Sequence, residues 1–234
     1  MTWIIPPSGS ASLTHYDLPL NFLAACGCAY GASYHATAAI SALAYSGDER
    51  ASVGPGPGCG RCFRLTLQSA HGVSPPFVPA DPKPSVVVKI VDRCPSPEFC
   101  SATRSHPNKI GQQIHFDLAL PSPALNLSFF PSNPDLYGYS DFGVWNINYQ
   151  TVSCEEWTGW SNKTNLGVEP SYPGFEESCC PINPPYTSDL CPKSIKAPPP
   201  SSAIRSTGSA FTPFFLLILV SSWLAITLPF SQSL

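Results

Sequence analysis

Ten cysteines, at positions 26, 28, 59, 62, 94, 100, 154, 179, 180 and 191, constrain this chain more than any other feature. An even number confined to one segment reads as a disulfide framework made in an oxidising compartment. The competing reading is a structural zinc at Cys59-Gly-Arg-Cys62, which has the spacing of half a metal site. No second such pair and no His-x₃₋₅-His follows to complete four ligands. Disulfides are therefore expected, with a pairing that the sequence leaves open. Two sequons, Asn126-Leu-Ser128 and Asn162-Lys-Thr164, are candidate glycosylation sites and agree with that compartment.

The ends of the chain differ from its middle. Residues 1–9 carry no basic n-region and no apolar run of signal-peptide length. The cysteines lead us to expect that the natural start lies upstream. Residues 193–210 form a Pro/Ser-rich linker that cannot build a core. Residues 211–234 form a hydrophobic tail whose first twenty or so residues lack charge, long enough to span a bilayer. Two readings compete: a membrane helix, and a glycolipid-anchor signal with Ser201 as the candidate attachment site. Either ties the protein to a membrane, and the expected location is extracellular, on the outer cell surface.

The ordered body should thus occupy residues 10–192. Only 12% of the 234 residues are charged, about half the ~25% usual for soluble domains. The net charge is −3 with no Lys/Arg cluster, which argues against nucleic acid and for a neutral partner. Phe63–Leu67 and Trp145–Gln150 alternate apolar and polar residues as half-buried strands do, and Val86–Val91 reads as a strand buried on both faces. The Ala-rich stretch 34–45 predicts a helix closed by Gly47. Short strands between Gly/Pro turns, in a chain with 28 prolines, predict a mainly β fold closed as a barrel, with one short helix and long disulfide-linked loops.

Residues 114–120 carry the chemistry. Ile114, Phe116, Leu118 and Leu120 share one face of a strand, while His115 and Asp117 share the other. That second face is either a solvated surface or a carboxyl and an imidazole offered to a ligand. Asp92 closes the 86–91 run, where a side chain can leave the core; its alternative role is a turn cap beside Arg93. Two carboxyls across a groove are the minimum for glycosidic hydrolysis.

Seven blocks occur in order: Ala11-Ser-Leu-Thr-His-Tyr16, Cys59-Gly-Arg-Cys-Phe63, Val87-Val-Lys-Ile-Val-Asp92 with Cys94-Pro95, Glu98-Phe-Cys100, His115-Phe-Asp117, Phe129-Phe-Pro-Ser132 and Val152-Ser-Cys-Glu-Glu-Trp157. The series resembles the fungal subgroup of the family 45 glycoside hydrolases, relatives of expansins and barwin-type proteins. The resemblance implies a six-stranded double-psi β-barrel with an open groove for a β-1,4-glucan, and endo-acting hydrolysis with inversion. It implies Asp117 as general acid. For the base it offers Asn108 and, more loosely, Asp17 after Tyr16, beside Asp92 from the residue pattern. Relatives place an Asn between Cys-Pro and Glu-Phe-Cys; here Ser96 and Pro97 stand there. Tyr16, His115, Trp157 and Trp160 are candidate substrate contacts, since sugar rings pack on aromatic faces. Residues beyond Ser132, including Tyr137, Tyr139 and Trp145, form an insert expected to reshape one groove wall. No metal or organic cofactor is expected, and the protein should be a monomer. Two rival readings keep the barrel without cleavage: an expansin-like wall-loosening protein and a glucan-binding, lectin-like module.

Overall fold

The structure is a computed structural model that describes residues 3–48, 54–170, 178–185 and Cys191. The linker at 193–210, the tail at 211–234 and Ser201 lie outside the described residues. Among the described residues no helix is long and apolar enough to cross a membrane.

Six strands close the barrel: β1 (Ser8–Tyr16), β2 (Thr37–Ile40), β3 (Cys62–Ala70), β4 (Ser85–Arg93), β5 (His115–Ala119) and β6 (Trp145–Val152). Around the barrel the order is β1-β5-β2-β4-β3-β6. β1 runs parallel to β5 and β2 parallel to β4, while the remaining neighbours are antiparallel. Two parallel crossovers interleaved in one closed sheet give the double-psi barrel. Closure removes the sheet edges that a short-stranded fold would otherwise expose.

Alternation along each strand sends one set of side chains inward. Leu13, Ile40, Phe63, Leu65, Val88, Ile90, Phe116, Leu118 and Ile147 are buried in that interior. Phe63 sits edge-on to Phe116, with ring centroids 5.3 Å apart, and to Tyr149, at 6.0 Å. Each such side chain contributes roughly 1.5–3 kcal/mol by leaving water. Trp3 and Ile5 pack on the same core, and β1 starts at Ser8, so the fold reaches back ahead of residue 10.

The helix expected over 34–45 is corrected. Residues 30–34 form a 3-10 turn, Thr37–Ile40 becomes β2, and only Ala42–Ser46 is helical (α1). All four β2 residues are buried between β4 and β5, so ladder bonds and burial override alanine's helix propensity. Gly47 does close α1, in the left-handed conformation with φ 67°. A second one-turn helix, α2 (Pro134–Tyr137), lies in the insert. Trp145 belongs to β6 and is fully buried, so it forms no part of a groove wall.

All ten cysteines pair: Cys26–Cys59, Cys28–Cys180, Cys62–Cys154, Cys94–Cys100 and Cys179–Cys191. Cys59 and Cys62 take different partners, which settles the disulfide reading over zinc. Cys28–Cys180 carries the segment around 180 back to the barrel, and Lys89 holds it there. This buried lysine donates from Nζ to the carbonyls of Gly60 (2.8 Å), Pro181 (3.1 Å) and Ile182 (3.1 Å). Its ammonium lies 5.8 Å from the Trp157 ring, and burial lowers its pKa to about 8.

Replacing Lys89 with Ala strands three carbonyls, and a buried unsatisfied polar group costs ~1–3 kcal/mol. A Lys89→Ala protein should therefore lose about 3 kcal/mol or more in urea unfolding, with its disulfides intact by non-reducing peptide mapping.

Candidate active site

Four neighbouring strands each place one residue in a single row on the outside of the barrel. Thr14 on β1 pairs with Asp117 on β5, Asp117 with Ala39 on β2, and Ala39 with Asp92 on β4. A register shift between Ala38 and Ala39 brings Asp92 into the row. The two carboxyl-bearing strands are thus two inter-strand spacings apart, roughly 10 Å at the backbone. Ala39 between them has no side chain to fill the gap. Tyr16 lies over it, and the Cys94–Cys100 disulfide and Phe99 complete this second, outer cluster.

His115 and Asp117 do share the face opposite Phe116, but that face is not solvated. His115 is fully buried, and Asp117 keeps 9% of its surface. The roof is the loop after β4. It is closed by Cys94–Cys100 and by a bond from Cys100 N to Ser96 O, 3.0 Å, and it stacks Phe99 on the His115 ring at 5.4 Å.

Beneath the roof the polar groups form one directed chain. Asn108 Oδ1 accepts from Ile110 N and Gln112 N, so its Nδ2 must donate; it does so to Phe99 O at 2.8 Å and Ser12 Oγ at 3.1 Å. Ser12 then has its own proton free for His115 Nδ1, 2.8 Å away. His115 must carry its proton on Nε2, which meets Thr14 Oγ1 at 2.9 Å. Thr14 donates to Asp117 Oδ1 at 2.7 Å. A neutral imidazole supplies the one acceptor and one donor this chain requires, and burial enforces neutrality by lowering the His115 pKa to about 3.

At the end of the chain, burial raises the Asp117 pKa. The Thr14 bond and the charge on His15 oppose that shift, and the Asp92 charge adds to it. Oδ1 is occupied by Thr14, so a proton on this carboxyl belongs on Oδ2, which lies 4.0 Å from the Cys94 sulfur. The result is a carboxyl with one oxygen fixed by a hydrogen bond and a pKa shifted upward by burial.

Asp92 is held differently. Its Oδ1 accepts from Ala25 N (3.0 Å) and Arg93 N (2.8 Å), and its Oδ2 from the Tyr16 hydroxyl (3.2 Å). Burial, then the Asp92 charge and hydrogen bond, raise the Tyr16 pKa, so Tyr16 stays a donor. Asp92 thus caps the turn beside Arg93 and stands in the same row as Asp117. Its Oδ2, with one bond, still has a free lone pair.

Other expected residues fall elsewhere. Asn108 is buried with both amide atoms engaged, so it orients the chain of donors and does not face open space. Asp17 follows the end of β1 and is solvent-exposed. Trp157 is 1% exposed and donates from Nε1 to Ala36 O, so it cannot stack on a sugar. Burial excludes direct substrate contact for His115 as well. Tyr16 serves Asp92, and Trp160 is partly buried against the core. In the insert, Asp141 bonds His15 Nε2 at 3.0 Å, and Tyr139 is 48% exposed beside Phe142. Asn126 and Asn162 are exposed, each capping a 3-10 turn.

Sequence reasoning missed Ser12, Thr14 and Ala39. A signal existed: Ser12, Thr14 and Tyr16 alternate with Leu13 and His15, which marks one polar face of β1. Cys94, Cys100 and His115 offer ligand atoms within 4.8 Å of one another, a spacing that suits a metal. The sulfurs are joined to each other, and both ring nitrogens have hydroxyl partners, so the group does not fit one. An open polar recess of about 510 Å³ lies away from the acid, lined by Ser8, Ser10, Arg64, Thr66, Asn148 and Gln150. None of its lining residues carries a carboxyl.

These shifts fix how stability follows pH. His115 is lowered from 6.5 to about 3, so its contribution is whole above 6.5 and is lost as pH falls toward 3. Asp117 is raised, so the folded state binds more protons than the unfolded chain above the ordinary carboxyl pKa, and ionisation at neutral pH costs stability. Melting temperatures between pH 7 and 4 should fall less steeply for His115→Gln than for the parent. Asp117→Asn should melt higher than the parent at pH 7.

A family model described as EXPB1-like domain 1 matches residues 11–159. Among solved structures the chain is similar to the GH45 endoglucanase EG27II in complex with cellobiose, at 19% identity, 66% of this chain, 91% of that one and a TM-score of 0.46. It is also similar to the β-1,4-D-endoglucanase Cel45A from the blue mussel Mytilus edulis, at 20% identity, 66% of this chain, 87% of that one and a TM-score of 0.40. No curated protein matches the sequence.

Proposed function

Because the chain belongs to the family described as EXPB1-like domain 1, we propose that it acts on the β-1,4-glucan of cell walls as an endo-acting, inverting glycoside hydrolase. The observation that carries this reading is Asp117: a carboxyl whose pKa burial raises, with a second carboxyl two strands away across a bare alanine. The two strands stand roughly 10 Å apart at the backbone, with Ala39 between them, an arrangement that suits a water held between two carboxyls as inverting hydrolysis requires. Likeness to the fungal family 45 subgroup, carried by the seven blocks and their cysteines taken together, is part of the proposal.

In the step proposed, Asp117 Oδ2 gives its proton to the glycosidic oxygen as the bond to the anomeric carbon breaks. Water adds to that carbon from the opposite side and loses a proton to Asp92 Oδ2. Thr14 steadies the Asp117 carboxylate that remains, and exchange with solvent resets both groups. The chain from Asn108 through Ser12 and His115 keeps the Thr14 proton directed at Asp117. These are positioning residues.

One observation favours a second reading. Asp92 accepts three hydrogen bonds, and Ser96 and Pro97 offer no carboxyl or amide side chain nearby in sequence. A protein with the acid but a preoccupied base would bind glucan and loosen walls without cutting, as the expansin-like alternative holds. Extracellular location, glycans on Asn126 and Asn162, and membrane attachment through the tail or a lipid at Ser201 belong to the proposal too.

Incubating the protein with soluble β-glucan and following viscosity and new reducing ends separates the readings. Endo-hydrolysis predicts falling viscosity with new ends, and a loss of at least about a hundredfold in Asp117→Asn. Wall softening without new ends would overturn hydrolysis in favour of the second reading.

A further inference from the structure

The segment between Tyr16 and Ala25 has both of its feet on one carboxyl group. Tyr16 donates to Oδ2 of Asp92 and the Ala25 amide donates to Oδ1. Whatever the intervening residues present is therefore fixed beside the candidate site. Their apex is a turn in which Phe22 N bonds Pro19 O at 3.2 Å and Asn21 takes φ 58°, the geometry of a type II turn with its left-handed residue in third place. Asn21 is the described non-glycine residue with positive φ, and asparagine tolerates that region better than most side chains.

The turn is clamped to the 3-10 turn at 30–34. Asn21 N donates to Ser33 Oγ (2.9 Å), and Asn21 Nδ2 donates to the Tyr34 hydroxyl (3.1 Å). Cys26–Cys59 and Cys28–Cys180 pin the chain just beyond it. Fixed in this way, Phe22 remains 52% exposed and Tyr34 41% exposed. The turn and its bonds to Ser33 and Tyr34 fix where these two rings are presented at the surface. Residues 18–47 contain no Asp, Glu, Lys or Arg, so the surface around them suits an uncharged partner.

We infer that Phe22 and Tyr34 form an aromatic shelf on the Asp92 side of the site, which stacks sugar rings of a β-linked glucan chain away from the bond that is cut. The inference rests on the glucan reading and adds the subsite that makes the protein prefer long chains. Pyranose rings offer flat C–H faces to the aromatic rings, while the Asn21 amide orients Tyr34 and lies within reach of sugar hydroxyls. Because both rings are surface groups, their removal leaves the barrel intact.

The test uses the full chain carrying Asp117→Asn, so that ligand is not consumed, with cellotriose and cellohexaose as calorimetric probes. Combined Phe22→Ala and Tyr34→Ala should weaken cellohexaose binding about tenfold and leave cellotriose binding within about twofold. Phe22→Trp should restore most of the loss when introduced with Tyr34 intact. Unchanged cellohexaose affinity would overturn the shelf alone, as would equal losses for both probes, which would put the rings at the reaction centre. No binding of either probe by the Asp117→Asn parent would overturn the glucan reading together with the shelf.

Discussion

The burial of one carboxyl group on the outside of a barrel sets the character of the candidate site. Asp117 sits on a strand whose inner face is core, and its own face would be open to water without a roof. The short Cys94–Cys100 loop supplies that roof, with Phe99 lying flat on His115. Desolvation then raises the carboxyl's pKa, and a single hydrogen bond from Thr14 fixes its Oδ1. Without the cross-linked loop the same Asp would be an ordinary surface carboxylate.

The double-psi topology explains why so few residues suffice. Parallel pairing of β1 with β5 sets Ser12 beside His115 and Thr14 beside Asp117. Pairing of β2 with β4 brings Asp92 to the same row across Ala39. Two strands that are distant in sequence thus align their polar alternation, and the chain of hydroxyls and imidazole follows from register alone. Asn108 gives the chain its direction, because its carbonyl oxygen is already taken by two backbone amides.

Much of this was legible in the sequence. The alternation in 63–67 and 145–150 gave true strands, the even cysteine count gave disulfides, and the 114–120 pattern correctly separated Phe116 from Asp117. Other features needed three dimensions. Residues 37–40 have helical composition, yet they fill the centre of the sheet, where ladder bonds outweigh propensity. Trp157 looked like a sugar platform, but its indole N–H is used on the Ala36 carbonyl in the core. Ala39 matters because of what it lacks, and no motif announces an absent side chain. The pairing of Asp92 with Tyr16 and the Ala25 amide joins positions far apart in sequence, and no spacing rule within one strand reveals it.

Asp117 should still be a carboxylic acid where ordinary aspartates have ionised. A ¹³C NMR titration of its side-chain carboxyl, assigned by comparison with Asp117→Asn, reads this directly. Burial of the group leads to a midpoint above the ordinary aspartate value of 3.8. A midpoint at or below that value would contradict it.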